Sequence, residues 1–202
     1  MDDRDVVTVF VRHDGEILLA RRSHAVGSYP GRWGTVAGHA EGDPASAIES
    51  ELREEIGRTD WTLVRRGESH VVRDADLDIA WTVHPALVEV PDRTIDLDRE
   101  HTIAEWVHPP AIARRPTVPR LWRSYERVRP TVETVASDQT HGSRELSLRA
   151  LGALRDAAAA TGRPEGPATL SVLLDRAADL ATARPAMGAV TTRMDRAVTR
   201  GL

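Results

Sequence analysis

Residues Arg32–Gly57 read RWGTVAGHAEGDPASAIESELREEIG, and this stretch decides the fold. A β-rich run leads to Gly38, a short acidic loop follows, and a helix begins. Asp43 is a good N-cap and Pro44 a good first helical residue, while Gly57 is a good terminator. The expected helix therefore runs from Pro44 to Ile56. Ile48, Leu52 and Ile56 recur at every fourth position and mark its buried face. Glu51, Glu54 and Glu55 stand at i, i+3 and i+4, so they share a neighbouring face.

That acidic placement works against the helix. Like charges at i, i+4 repel, and carboxylates in the last turn oppose a dipole that favours cations there. Each effect costs a few tenths to about 1 kcal/mol. A helix that keeps both is arranged as if to hold a divalent cation, and hard carboxylate oxygens suit Mg²⁺ or Mn²⁺. The competing reading of the same three acids is a solvated face, so their surroundings decide.

With its flanks, the stretch resembles the signature of the Nudix hydrolases: a glycine, an acidic loop, then Arg-Glu-apolar-x-Glu-Glu-x-Gly on a helix. The matching residues are Gly38, Glu41, Gly42, Glu51, Leu52, Glu54, Glu55 and Gly57. Upstream, Pro30-Gly31-Arg32-Trp33 is similar to the family's loop before the signature strand. Two features depart from the pattern. Ser50 stands where the family has arginine, and the loop between Gly38 and Pro44 is short, which leaves Asp43 as the nearest acid to the family's loop glutamate.

The resemblance covers about residues 5–130. It implies an α/β fold, a Nudix-type mixed β-sheet sandwiched between helices. It also implies a metal-dependent pyrophosphohydrolase that cleaves a nucleoside diphosphate linked to another moiety. Carried over by position, the Gly38 carbonyl and the side chains of Glu51, Glu54 and Glu55 are the expected ligands of Mg²⁺ (or Mn²⁺). Glu51 is also a catalytic candidate that positions a water, and Glu100, from the charged loop Pro91–Thr102, is the candidate general base with Asp98 behind it, the competing reading being a solvated loop. The alternative implied by Ser50 and the short loop is a catalytically weak or inactive module. It would sense a nucleotide or sugar phosphate and act through the C-terminal helices.

Composition narrows the classes. The chain has 202 residues, enough for one domain and a smaller unit; 41% are hydrophobic and 29% charged, ordinary for a globular protein. A net charge of −4 offers no basic field for a nucleic-acid polymer. The absence of cysteine removes disulfides, thiolate metal sites and cysteine nucleophiles, and fits a reducing, cytoplasmic setting. The N-terminus MDDRDVVTVF lacks the apolar core of a secretory signal, and no apolar run is long enough to span a bilayer. The expected partner is a small phosphorylated metabolite.

In chain order, Val6–Arg12 and Glu16–Arg22 read as a hairpin around His13-Asp14-Gly15. Arg21 and Arg22 close it, either as a solvated strand end or as phosphate contacts, since arginine matches phosphate oxygens well. Trp33–Ala37 is a short strand. The run Trp61–Arg73 is strand-like, and Ile79–Val90 is a second strand expected to break at Pro85. Trp81 on that strand is either a core residue or a surface on which a substrate base stacks. Ala104–Val107 is a short strand, Pro109-Pro110 opens a helix-like segment, and Thr117–Val128 reads as a helix.

From residue 131 the composition shifts to alanine and leucine. Ser143–Ala160 is an amphipathic helix, TGRPEGP a linker turn, Thr169–Ala183 a second helix, and Pro185 opens a third that ends near Arg200. This small all-α segment, 131–202, resembles the N-terminal helical domain of the initiation factor 2B regulatory subunit and ribose-1,5-bisphosphate isomerase family. The likeness lies in His141-Gly142-Ser143, the Arg-Ala-Leu helix and Ala183-Arg184-Pro185-Ala186-Met187. It implies a truncated or split relative of that family without an isomerase site. It also implies a surface for a homo-oligomer or a 2B-like protein partner, with His141 as a helix-entry residue.

Overall fold

The computed structural model describes residues 2–40, 42–160 and 167–201. The chain divides into two compact units, Met1–Val128 and Arg129–Leu202. The first unit holds strands β1 (Asp2–His13), β2 (Glu16–Arg22), β3 (Trp33–Gly34), β4 (Val36–His39), β5 (Thr62–Arg66), β6 (His70–Asp74), β7 (Ile79–Glu89) and β8 (His101–Val107). Its helices are α1 (Pro44–Ile56), a 3-10 segment (Pro109–Arg114) and α2 (Leu121–Glu126).

All eight strands join one mixed sheet organised on β1. Strand β1 runs parallel to β7 from Asp2↔Ile79 to Arg12↔Glu89. On its other side it pairs antiparallel with β4 at Val6–Val9 and with β2 only at Arg12 and His13. The expected hairpin thus closes only at its tip, and β2 leaves to pair with β3 and β8. Side chains alternate across β1 as the pleat requires. Val7, Val9 and Val11 pack with Ile48, Leu52 and Ile56 of α1 on one face; Phe10 packs with Leu121 and Tyr125 of α2 on the other. Helices therefore cover both faces, the mixed-sheet sandwich that the sequence implied.

Helix α1 has the expected ends. The Asp43 carboxylate accepts from the Ala45 N–H at 3.1 Å, and Gly57 takes φ 67°, a conformation cheap only for glycine. Three other expectations are corrected. Strand β7 does not break at Pro85: β6 pairs with β7 only through Val83 and β5 only from Ala86, so the missing N–H costs no antiparallel ladder bond. The Pro85 carbonyl is used, accepting from the Gly67 N–H at 2.9 Å. The run Trp61–Arg73 splits at Gly67, where a Cβ would come within 2.7 Å of the Arg127 side chain. Finally, the helix expected from Thr117 starts at Leu121. Thr117 forms a bridge to Trp33, and Arg120 at φ 60° interrupts helical geometry.

The second unit contains α3 (Val132–Ser137), α4 (Ser143–Ala160), α5 (Pro167–Thr182) and α6 (Gly188–Gly201) around a core of Val135, Leu146, Ala150, Ala153, Leu180, Val190 and Met194. Helix α3, absent from the sequence reading, is stabilised by a reciprocal cap in which Thr131 and Thr134 bond each other's backbone N–H groups. Most of the TGRPEGP linker, like Glu41 of the signature loop, lies outside the described residues. No helix among the described residues is long and apolar enough to cross a membrane.

Candidate active site

A cavity of about 610 Å³ opens in the first unit, and one of its walls is acidic. Glu51, Glu54 and Glu55 of α1 line it, together with Asp98 and Glu100 from the segment before β8 and with Ala37, Gly38 and His39 of β4. Strand β4 lies so close to α1 that a Cβ on Gly38 would overlap the Glu51 carboxylate, so the position needs a residue with no side chain. Arg22 and Trp81 also line the cavity. Arg21 does not. Strand alternation turns it away, and its exposed guanidinium donates to the Gly31 carbonyl at 3.1 Å.

Burial and neighbouring acids perturb two of the carboxylates. Burial raises the Glu51 pKa above its ordinary value, and the charges of Glu54, Glu100 and Asp98 raise it further. Glu55, only 5% exposed, is pushed up to about 9, mainly by burial and then by Glu51 and Asp98; the Ala37 N–H and the Arg22 charge act the other way. Glu55 Oε1 accepts from that N–H at 3.3 Å, whereas its buried Oε2 has no hydrogen-bond partner. His101 Nε2, also without a hydrogen-bond partner, lies 3.8 Å from it. His101 is held from the other side by Asp98, Nδ1 to Oδ1 at 2.9 Å. The Glu100 N–H donates to the same Asp98 oxygen at 3.1 Å, and the Glu100 carbonyl accepts from the Ser23 N–H at 2.7 Å.

Another part of the lining is aromatic and apolar. Tyr29, in the loop after β2, donates its hydroxyl hydrogen to Asp74 at 2.7 Å and accepts from Trp81 Nε1 at 3.2 Å. Burial, then the Asp74 bond, raises the Tyr29 pKa to about 12. Arg4 lies 5.8 Å from the centre of the Trp81 ring, and the His39 ring lies 6.1 Å from it. None of Tyr29, Asp74 and His101 was legible as a site residue. Their partners are 45 or more residues away, except Asp98 and His101, whose three-residue spacing is the one local signal.

A family model described as the NUDIX domain matches residues 2–128. The chain belongs to the Nudix family. Its class is that of a hydrolase acting on phosphoric anhydride bonds. Solved structures agree on the fold. A MutT protein from Methanosarcina mazei Go1 is 21% identical with a TM-score of 0.53, and the match covers 62% of this chain and 92% of that one. A NUDIX hydrolase from Nitrosomonas europaea is 19% identical with a TM-score of 0.51, covering 62% and 87%. A MutT NUDIX hydrolase from Burkholderia pseudomallei is 20% identical with a TM-score of 0.50, covering 63% and 98%. No curated protein matched the chain in sequence. In this Nudix domain the signature helix is α1, and its three acids face the same cavity as Gly38 and Glu100.

Among the described residues, no group of three or more His, Asp or Glu side chains is already arranged to hold a metal ion. The donor set nevertheless fits one in its chemistry. Several carboxylates crowd one wall, Glu55 Oε2 is buried without a hydrogen-bond partner, and Gly38 keeps a side chain out of the space beside Glu51.

Proposed function

We propose that this Nudix domain is a Mg²⁺- or Mn²⁺-dependent pyrophosphohydrolase that cleaves a nucleoside diphosphate linked to another moiety. The observation that carries the reading is the crowding of carboxylates beside Gly38, where burial raises Glu51 and Glu55 and neighbouring acids raise them further, an arrangement that a cation relieves and that a merely structural helix would avoid. Glu51, Glu54 and Glu55 with the Gly38 carbonyl would hold the ion. Bound there, the ion supplies charge neutralisation on a diphosphate and makes a water more acidic.

The chain's own groups do the rest. Glu100 is the general base that takes the proton from the attacking water, its backbone tied at both ends by Asp98 and Ser23. Arg22 binds phosphate oxygens. Its Nε–H is committed to the Ser28 carbonyl at 2.9 Å, which fixes the guanidinium plane at the cavity wall. Trp81, its own N–H engaged by Tyr29, offers its face to a ring. The test is hydrolysis of a panel of nucleoside diphosphate derivatives with Mg²⁺. Activity that survives both Glu54→Gln and Glu55→Gln unchanged would overturn the assignment.

A second reading, a module that binds a nucleotide or sugar phosphate without turnover, is favoured by Ser50 at the family's arginine position. It predicts thermal stabilisation by nucleotides with no product formed. We also propose that the C-terminal helices serve assembly with a second copy or a 2B-like protein, supported by exposed Leu170, Val172 and Leu174 on α5. Sedimentation of the full chain against its Val172→Glu variant decides; an unchanged particle mass counts against it.

A further inference from the structure

The acids occupy one end of the cavity; the other end is lined by a serine that a histidine backs. Cross-strand register lays out the floor. His39 of β4 lies beside Val6 of β1, Val6 beside Val83 of β7, and Val83 beside His70 of β6. Three interstrand steps of about 4.8 Å separate the first from the last, roughly 14 Å in all. Gly38 and Glu51 mark the β4 end of this row. At the β6 end the lining turns apolar, with Val72, Val83, Val118 and Leu121.

Ser124 of α2 also lines that end, 3% exposed, and its Oγ lies 3.3 Å from His70 Nε2. His70 is 7% exposed, and its Nδ1 has no partner. Burial, then the charges of Arg127 and Arg123, lowers the His70 pKa to about 4, so the ring is neutral and carries a single N–H. Placed on Nε2, that N–H donates to the serine oxygen; placed on Nδ1, it leaves Nε2 to accept from the serine hydroxyl, and in both forms Nδ1 is buried with nothing to bond. In either form this one bond leaves the Ser124 hydroxyl with hydrogen-bonding capacity toward the cavity that it lines.

We propose that Ser124, positioned by His70, is the hydrogen-bonding group that reads a polar edge of the substrate's heteroaromatic ring at the apolar end of the cavity. This deepens the pyrophosphohydrolase reading and rests on it. It places the diphosphate over the Gly38 end and the ring about three strands away, with Trp81 on the floor between. One well-placed hydroxyl among apolar side chains is how a pocket orients a flat ligand. Ser124 is a binding residue because it touches the ring, and His70 is a positioning residue because it acts through Ser124.

The experiment is calorimetric titration of the full chain in Mg²⁺ with α,β-methylene nucleoside 5′-diphosphates and, separately, with base-free methylenediphosphonate. Ser124→Ala should weaken the nucleotide analogue by about 5- to 10-fold and leave methylenediphosphonate unchanged. Ser124→Thr, which keeps the hydroxyl, should restore the affinity. Ser124→Cys, close in size with a weak donor, gives the same readout should alanine unsettle the fold. Equal affinity for the nucleotide in wild type and Ser124→Ala overturns the proposal, and so does parallel weakening of both ligands, the mark of a structural role. Methylenediphosphonate binding without any gain from a nucleoside overturns it while sparing the pyrophosphohydrolase reading. If neither ligand binds, both fall.

Discussion

Replacing Glu55 by glutamine should stabilise the metal-free protein, and should do so only at neutral and alkaline pH. In the unfolded chain Glu55 titrates near its ordinary 4.5; folded, it titrates near 9, chiefly because it is buried. A folded pKa above the unfolded one means that the stability is fully present below 4.5 and is lost as pH rises toward 9. At pH 7 the folded carboxyl keeps a proton that the unfolded chain has released. That gap, roughly 2.5 pH units, costs about 3 kcal/mol at about 1.4 kcal/mol per unit. Glutamine carries no such cost, and its amide can donate toward His101 Nε2 across the gap that now measures 3.8 Å. Urea melts in EDTA should show Glu55→Gln more stable by about 3 kcal/mol at pH 7, by under about 1 at pH 5, and by more at pH 8.5. Mg²⁺ should reverse the order, since it replaces the proton in wild type and finds one fewer ligand in the variant. A variant less stable than wild type at every pH, or a difference that does not change with pH, would refute the reasoning.

Further outcomes follow from single contacts. Glu51→Gln and Glu54→Gln should each lower kcat/KM by roughly 100-fold without lowering Tm in EDTA. Gly38→Ala should fold but lose its Mg²⁺-dependent rise in Tm, because the new Cβ takes the space of the Glu51 carboxylate. Gly57→Ala forces a side chain into a φ of 67° and to within 2.9 Å of Asp96; denaturant melts should show a loss of about 1–2 kcal/mol. Leu52→Ala empties a fully buried site against Val7 and Val9 and should cost about 2–5 kcal/mol by the same measurement.

What was legible in the sequence was whatever local chemistry decides. Asp43, Pro44 and Gly57 bound α1 because caps act within a few residues, and the i, i+3, i+4 spacing put Glu51, Glu54 and Glu55 on one face whatever lay opposite. Pro85 misled because its effect depends on which strand lies alongside, and here the partners change over at that residue. Arg21 and Arg22 are alike in type and adjacent, so only strand phase separates the one in the cavity from the one outside it. Tyr29, Asp74, His70 and Ser124 carried no signal at all: each pair is joined across 45 or more residues by tertiary packing. Helix α3 carries no periodic signal because six residues span too few turns, and its Thr131 cap is its one local mark.

The central claim is that a divalent cation belongs among the carboxylates beside Gly38. Crystals grown in Mn²⁺, with diffraction recorded at the manganese edge, test it most directly. The account predicts an anomalous peak roughly 2.1–2.2 Å from oxygens of at least two of Glu51, Glu54 and Glu55. A flat map at that place under saturating Mn²⁺, with the acids left as they now stand, would contradict it.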